Sequence, residues 1–423
     1  MGMTIAEKIL ARASGKEKVK PDEVVVAKVD VAMSHENADV VRKSFIEIGV
    51  EKVWDPKKIV IIFDHRVPAE SERTATTHKA VREFVKSQGI KNFYDVGKGG
   101  ICHQVLPEKG HIFPGAVVVG TDSHTTTHGA FGAFALGIGA TEMAGVWTEG
   151  ELWFKVPHTI KIVCDGEFNP GIYAKDLILY IIGKIKADGA DYRAVEFSGS
   201  TIDNMSIASR MVICNLSMEM GAKVAFTPVD KKVIEYIHQR RKDWSFDHNL
   251  KADDDAVYEK VIHIDVTNEI KEPQVACPHS VDNVKNLSEV GDLIIHQGVI
   301  GSCTNGRLED LAEAAQILKN RKVHPDVRLI IIPASQEVYL EALNRGYIQT
   351  FIEAGAMINP SGCGPCVGVH QGILAAGEVC VSSTNRNFIG RMGSKDSFVY
   401  LASPAVVAAS SITGKLTNPT KLN

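Results

Sequence analysis

Short apolar runs of β character recur along this chain, and each leads into polar residues of the kinds that do chemistry. The runs "KIVIIF" (58–63), "AVVVG" (116–120), "QGVIG" (297–301), "RLIIIP" (328–333) and "EVCVSS" (378–383) alternate with helix-like stretches. That alternation is the pattern of parallel α/β layers. In "NGRLEDLAEAAQILKN", Leu308, Leu311, Ala315 and Leu318 share one face at helical spacing, with Asn305 as the expected N-cap. The run at 58–63 passes directly into Asp64 and His65, "NFYDV" leads through a glycine-rich turn to Cys102 and His103, and "AVVVG" leads to Thr121, Asp122, Ser123 and His124. "QGVIG" is followed by Ser302, Cys303, Thr304 and Asn305, "GAMIN" by "PSGCGPC", and "EVCVSS" by Asn385, Arg386 and Asn387. In an open α/β sheet, ligands bind just past the carboxyl ends of the strands. Six such ends are not a random scatter.

The 423 residues are too many for one ordinary core, and roughly three domains are expected. Breaks near 158 and 270 divide the chain into 1–158, 159–269 and 270–423. The polar stretch 243–260 reads as a surface excursion of the middle unit. A formal net charge of −4 gives no argument for nucleic acid, and "QRRKDW" (239–244) is too short to supply a basic stripe. The N-terminus lacks the apolar core of a secretory signal, and Ala6 breaks the myristoylation pattern. Apolar runs such as Leu177–Ile182 are far below a membrane span. Eight cysteines in so long a chain are no disulfide framework, so a reducing cytoplasm is the expected compartment.

Cys303, Cys363 and Cys366 stand in a C-x59-C-x2-C arrangement, with His370 four residues further on. Three readings fit that spacing: a Cys3His zinc site, an iron–sulfur cluster with one iron left open, or a redox pair in "CGPC". The redox pair leaves Cys303 and the strand-end histidines without a role. In "GTDSHTTTHGAFGAFALGIGATEMA" (120–144), Gly129, Gly132, Gly137 and Gly139 allow close backbone approach, while His124 and His128 read equally well as structural. An adjacent aspartate, as in Asp64-His65 or Asp122-Ser123-His124, can orient an imidazole and raise its pKa. Arg386 and Arg391 stand five apart in "STNRNFIGRMGS", and arginine forks read carboxylates, so a di- or tricarboxylate is the expected ligand class.

With these residues laid out, the chain resembles the aconitase family of iron–sulfur hydro-lyases. Within it, the likeness is to large subunits of the two-subunit branch that includes 3-isopropylmalate dehydratase and homoaconitase. "FDH", "GICHQ", "GTDSHT", "GIGATEMA", "IGSCTN", "GCGPC" and "STNRNFIGR" carry the resemblance, in family order, from about residue 60 to 400. It implies three α/β domains with mainly parallel sheets around a [4Fe-4S] cluster held by Cys303, Cys363 and Cys366. The iron without a protein thiolate would act as a Lewis acid. Asp64-His65 would protonate the departing hydroxyl, His124 would stand beside the open iron, and Glu196 in "AVEFSG" would hydrogen-bond there. His103 and Asp122 match further positions of the site. Arg386 and Arg391 match substrate-carboxylate arginines, with Ser123, Asn305 and Asn385 in support.

The implied reaction is reversible dehydration of an alkylmalate-type hydroxy acid, followed by rehydration at the neighbouring carbon. The family's base is a serine on a swivelling domain that this chain is too short to carry. A small subunit is therefore the expected partner, with little or no activity from the chain alone. Two stretches depart from the pattern. "SHENADVVRKSF" (34–45) keeps His35 and Glu36 as substrate-side candidates but lacks an expected threonine, and Thr126 and Leu136 replace an expected cysteine and threonine. These departures bear on the substrate, so 2,3-dimethylmalate or citramalate competes with 3-isopropylmalate and homocitrate. A regulatory RNA-binding relative is the reading from another class, and the acidic balance argues against it.

Overall fold

A computed structural model describes residues 2–242, 245, 250–369 and 371–422. His370 and most of 243–249 lie outside the described residues.

Five parallel strands form the first sheet, in the order Asn92–Tyr94, Ile59–Ile62, Val31–Ser34, Val117–Gly120, Phe134–Gly137. The chain begins in the middle, at Val31–Ser34, winds outward one way and then returns to wind the other. The crevice of such a sheet opens where the winding reverses, here between the ends of Val31–Ser34 and Val117–Gly120. His35 and Thr121-Asp122 follow those two ends. The apolar run "VVVAKVDVAM" (24–33) supplies two strands. Val24–Lys28 leaves the sheet to pair antiparallel with Glu151–Lys155, and only Val31–Ser34 enters the core.

A second sheet is parallel throughout, ordered Val224–Phe226, Ala194–Ser198, Thr159–Asp165, Lys260–Asp265. The third has seven strands. Its parallel part runs Phe398–Leu401, Val379–Ser382, Gln297–Ile300, Arg328–Ile331, Met357–Ile358, and two antiparallel strands extend one edge. Here too the winding reverses in the middle, between Gln297–Ile300 and Val379–Ser382. Cys303 follows the first of these strands and Asn385 the second.

The strands are short and apolar because both faces are covered, as parallel sheets require. One continuous core joins Val118 of the first sheet, Ile162 of the second and Val299 of the third. A second lies beneath the first sheet, where the Trp147 indole stacks on Phe84 at 5.4 Å and meets Phe45 edge-on at 6.3 Å. Burying each such ring stabilises the fold by about 2–3 kcal/mol. The helix Leu308–Leu318 buries Leu311, Ala315 and Leu318 as its periodicity requires. Its N-cap is Arg307, however, not Asn305: the Asp310 carboxylate accepts from the Arg307 amide at 2.8 Å, so the helix begins two residues later.

One glycine shows why the 120–144 segment is glycine-rich. A Cβ on Gly129 would fall 1.5 Å from the Ala225 carbonyl oxygen. The 3-10 segment Ser123–Phe131 thus lies directly against the edge strand of the second sheet, with the Thr227 amide donating to Gly129 O at 3.2 Å.

Candidate active site

The crevices of the first and third sheets face each other, and their strand ends line one recess. Asp64, His65, His103, Asp122 and His124 come from the first unit; Cys303, Cys363, Cys366, Asn385, Arg386 and Arg391 come from the third. The recess opens into a cleft of about 710 Å3 that shares His65, Asp122, Arg386 and Arg391 and adds His35 and Ser123. That volume suits a small organic acid.

Three imidazoles each carry a carboxylate. His65 Nδ1 lies 2.5 Å from Asp64 Oδ1, and the other Asp64 oxygen accepts from the Cys102 amide at 2.8 Å. His103 Nε2 lies 2.7 Å from Asp122 Oδ1. His124 Nε2 lies 2.9 Å from Glu219 Oε1. Burial alone would raise the Asp122 pKa, but hydrogen bonds from His103, His124 and His65 hold it well below the usual carboxylate range. Burial would likewise lower His65, yet the Cys363 sulfur and Asp64 beside it, with hydrogen bonds to Asp122 and Asp64, raise it well above an ordinary histidine. His124 is also raised, by Asp122 and Glu219 against its burial. The site therefore keeps protonated imidazoles in a desolvated place, as acid catalysis at neutral pH needs.

Glu219 was not expected, and Glu196 was. The Glu196 carboxylate lies elsewhere, accepting from the Ile5 amide and the Tyr258 hydroxyl, each at 2.8 Å. Its strand is covered on that face by the helix Ile5–Ala13, whose first amide lacks an intrahelical acceptor and takes this carboxylate instead. Glu219 sits on the 3-10 turn Ser217–Met220, just beyond the helix Ile207–Leu216. It accepts from Arg386 Nε at 2.7 Å as well as meeting His124, and Arg386 Nη2 donates to Ser123 Oγ at 3.1 Å. Asn215, also unforeseen, donates from Nδ2 to Thr127 Oγ1 at 2.8 Å and to the Cys303 sulfur at 3.3 Å. A signal for both was present: Asn215 and Glu219 stand four apart in the otherwise apolar "MVICNLSMEM".

The remaining candidates divide. His35 stacks on His65 with ring centroids 4.1 Å apart, beside the cleft. Glu36 instead accepts from the His65 and Arg66 amides and does not line the cleft. Asn305 is turned away from the recess, donating to Asp310 at 2.7 Å. Asn385 approaches two sulfurs, with Oδ1 3.7 Å from Cys303 Sγ and 3.6 Å from Cys366 Sγ. Arg391 Nε, which is buried, has no hydrogen-bond partner among the described residues. His128 is a core residue whose imidazole burial pushes well down.

The three thiols are buried and unpaired. The described residues contain one group of metal-binding side chains with ligand atoms all within 4.8 Å of one another, and it is His35, Glu36, Asp64 and His65. The thiols form no such group. A single zinc ion with Zn–S bonds of about 2.3 Å would draw its sulfurs to within about 4.6 Å of one another. Three soft ligands set wider than this around one recess fit a multinuclear iron–sulfur group, which thiolates hold. Burial pushes the Cys303 thiol up to about 12 and raises Cys363 well above its ordinary value, so a metal must displace their protons on binding. Ser302, just before Cys303, adopts φ 74, a backbone strain of the kind that concentrates at functional loops.

The chain is 53% identical to the "Probable 3-isopropylmalate dehydratase large subunit" of Methanothermobacter thermautotrophicus, over 100% of both chains. It is also 53% identical to "3-isopropylmalate dehydratase large subunit 1" of Methanopyrus kandleri, over 99% of each. The "Probable methanogen homoaconitase large subunit" of M. thermautotrophicus is 49% identical over 99% of this chain and 97% of its own. Among solved structures, aconitase X of Thermococcus kodakaraensis in its holo form aligns over 90% of this chain and 88% of its own, at 13% identity and a TM-score of 0.49. The family described as "Aconitase family (aconitate hydratase)" matches at residues 7–294 and 283–414, and this chain belongs to it.

Proposed function

We propose that this chain is the large subunit of a two-subunit hydro-lyase that dehydrates, and then rehydrates, an alkylmalate-type hydroxy acid, with 3-isopropylmalate as the leading substrate. Its relatives are named as dehydratases and as large subunits, which carries both the enzyme class and a small-subunit partner to this chain. The observation that supports the reading most is the meeting of three imidazole–carboxylate pairs, three buried thiols and two arginines around one cleft.

In this reading Cys303, Cys363 and Cys366 hold a [4Fe-4S] cluster, and Asn385 and Asn215 fix the sulfurs. When bound, that group supplies a Lewis acid for the departing hydroxyl. The protein does the rest. His65 is held protonated by Asp64 at Nδ1 and presents Nε2, 3.5 Å from Asp122, as the proton source for the leaving group. Asp122 orients His103 and the backbone of His124. Glu219 joins His124 to Arg386, so proton handling and carboxylate binding share one support. Arg391, with its open Nε, receives the second carboxylate. Residues 1–158, 159–269 and 270–423 act as three units that close on the cleft, and the partner supplies the base. Among the described residues no helix is long and apolar enough to cross a membrane.

Homoaconitase is the second reading, favoured by the 49% identity to a relative so named. The test begins with iron, acid-labile sulfide and zinc analysis of the anaerobically purified chain and of Cys366→Ser. Iron and sulfide in equal amounts, lost in the variant, support the reading; zinc without sulfide sinks it. Assays with the small subunit on 3-isopropylmalate, homocitrate, citramalate and 2,3-dimethylmalate then separate the substrates.

A further inference from the structure

Three lysine or arginine side chains are fully or almost fully buried among the described residues: Lys175, Arg210 and Arg307. Burying a cation costs several kcal/mol unless an opposite charge faces it. Arg210 meets that condition, with Asp230 Oδ2 2.5 Å from its Nη2. Lys175 and Arg307 do not, since neither has a carboxylate within ion-pair distance among the described residues. Both point instead at the loops that carry the thiol site. Arg307 donates to the carbonyls of Cys303 and Thr304 at 2.6 and 2.5 Å. Lys175, at the start of the helix Ala174–Ile185, reaches into the third unit and donates to the carbonyls of Ser383 and Thr384 at 2.8 and 2.6 Å. The next residue, Asn385, touches the sulfurs of Cys303 and Cys366.

Two acids, Asp176 and Asp310, act on these cations from beyond ion-pair distance. Asp176 accepts from the Gln274 and Tyr173 amides, and Asp310 from Asn305 and the Arg307 amide. Burial pushes Asp176 up to about 7 and Asp310 up to about 6, so Asp310 stays mostly ionised at neutral pH and its charge acts on Arg307, while Asp176 is only partly ionised. Lys175 itself is lowered to about 7 by burial, against the pull of Cys366, Asp310, Cys303 and Asp176. A buried amine is thus left with two carbonyl acceptors and no carboxylate at ion-pair distance among the described residues, at the back of three thiols.

We propose that Lys175, seconded by Arg307, is the resident counter-charge of the thiolate-held iron–sulfur group, a positioning residue that couples metal loading to the docking of the second unit on the third. The inference rests on the iron–sulfur reading above. Three thiolates around an iron–sulfur core make a net anion, and it arrives beside a buried amine that has no carboxylate at ion-pair distance and whose charged form it would favour. The same ammonium anchors the Ser383–Thr384 turn, and through it the asparagine that holds two of the sulfurs. A purely structural lysine would matter equally with and without the group; a counter-charge must change sign.

The test uses thermal unfolding of the full chain, metal-free and anaerobically reconstituted, for wild type, Lys175→Met and Lys175→Gln, with iron and sulfide measured on every sample. In the metal-free form Lys175→Met is expected to unfold at a higher temperature than wild type, because a desolvated charge is removed. In the loaded form it is expected to unfold at a lower temperature and to release iron to a chelator several-fold faster. Lys175→Gln, which keeps donors for the two carbonyls but no charge, is expected to follow Lys175→Met. Equal destabilisation in both forms, failure of the metal-free variants to fold, or a glutamine variant that behaves as wild type each overturns the proposal. Wild-type chain that takes up no iron and sulfide overturns the parent reading instead, and the metal analysis reports that separately.

Discussion

At the scale of single residues, His124, Glu219 and Arg386 make one chain of hydrogen bonds through the Glu219 carboxylate. Glu219→Gln is expected to lower kcat by about 10²–10⁴-fold in the reconstituted two-subunit enzyme, since the imidazolium loses its ionic partner. Glu196→Gln is the control: kcat should stay near wild type while thermal stability falls, because that carboxylate anchors a helix end. A kcat collapse in the control, or none in Glu219→Gln, would reverse the assignment. Arg391→Lys replaces a planar fork by a point charge, so KM should rise with kcat little changed. The strand-end residues were legible in the sequence because the same succession of apolar run and polar group recurs at six strand ends, whereas Asp64-His65 or His124 alone reads as well as a surface or structural residue. Glu196 and Glu219 were not separable, since which face of a strand is covered, and by what, is decided nearly two hundred residues away at Ile5.

At the scale of elements, strands reported themselves and helix starts did not. "KIVIIF" and "QGVIG" were readable because burial on both faces demands continuous apolar runs. Asn305 looked like a cap because the chemistry of a cap is local, but Arg307 is the cap, and Asp310, which holds the Arg307 amide, also takes the Asn305 side chain. One contact between elements gives a pH test. His111, beyond the helix Cys102–Glu108, meets Tyr94 of the strand Asn92–Tyr94, with Nε2 2.8 Å from the hydroxyl. Burial, with Arg241 nearby, lowers its imidazole to about 4. The unfolded chain, with an ordinary histidine near 6.5, binds this proton first as pH falls. Stability from this group is therefore present above about 6.5 and lost as pH falls toward 4. In His111→Phe that part of the acid destabilisation should disappear, as read from unfolding midpoints between those pH values; an unchanged slope would remove His111 from the account.

At the scale of the whole molecule, two sheets wound outward from their centres bring their reversal points together. The alternation of strands and helices announced the layers, but nothing local announced that the two crevices would face each other. That outcome is set by the shared core of Val118, Ile162 and Val299 and by the bare contact at Gly129. Gly129→Ala should open it. The expected result is a loss of turnover larger than the loss of thermal stability, because a carbonyl 1.5 Å from the new methyl forces the first and second units apart at the cleft. A stability loss with turnover intact would contradict this.

The three thiols all come from one sheet, while the imidazoles come from another. Whether the chain is loaded and whether it is competent are consequently separate states. A preparation can be fully coloured and yet inert, its metal held by one half and its acids displaced with the other. Purity judged by iron content ranks such samples alike, and only a readout that spans both sheets tells them apart.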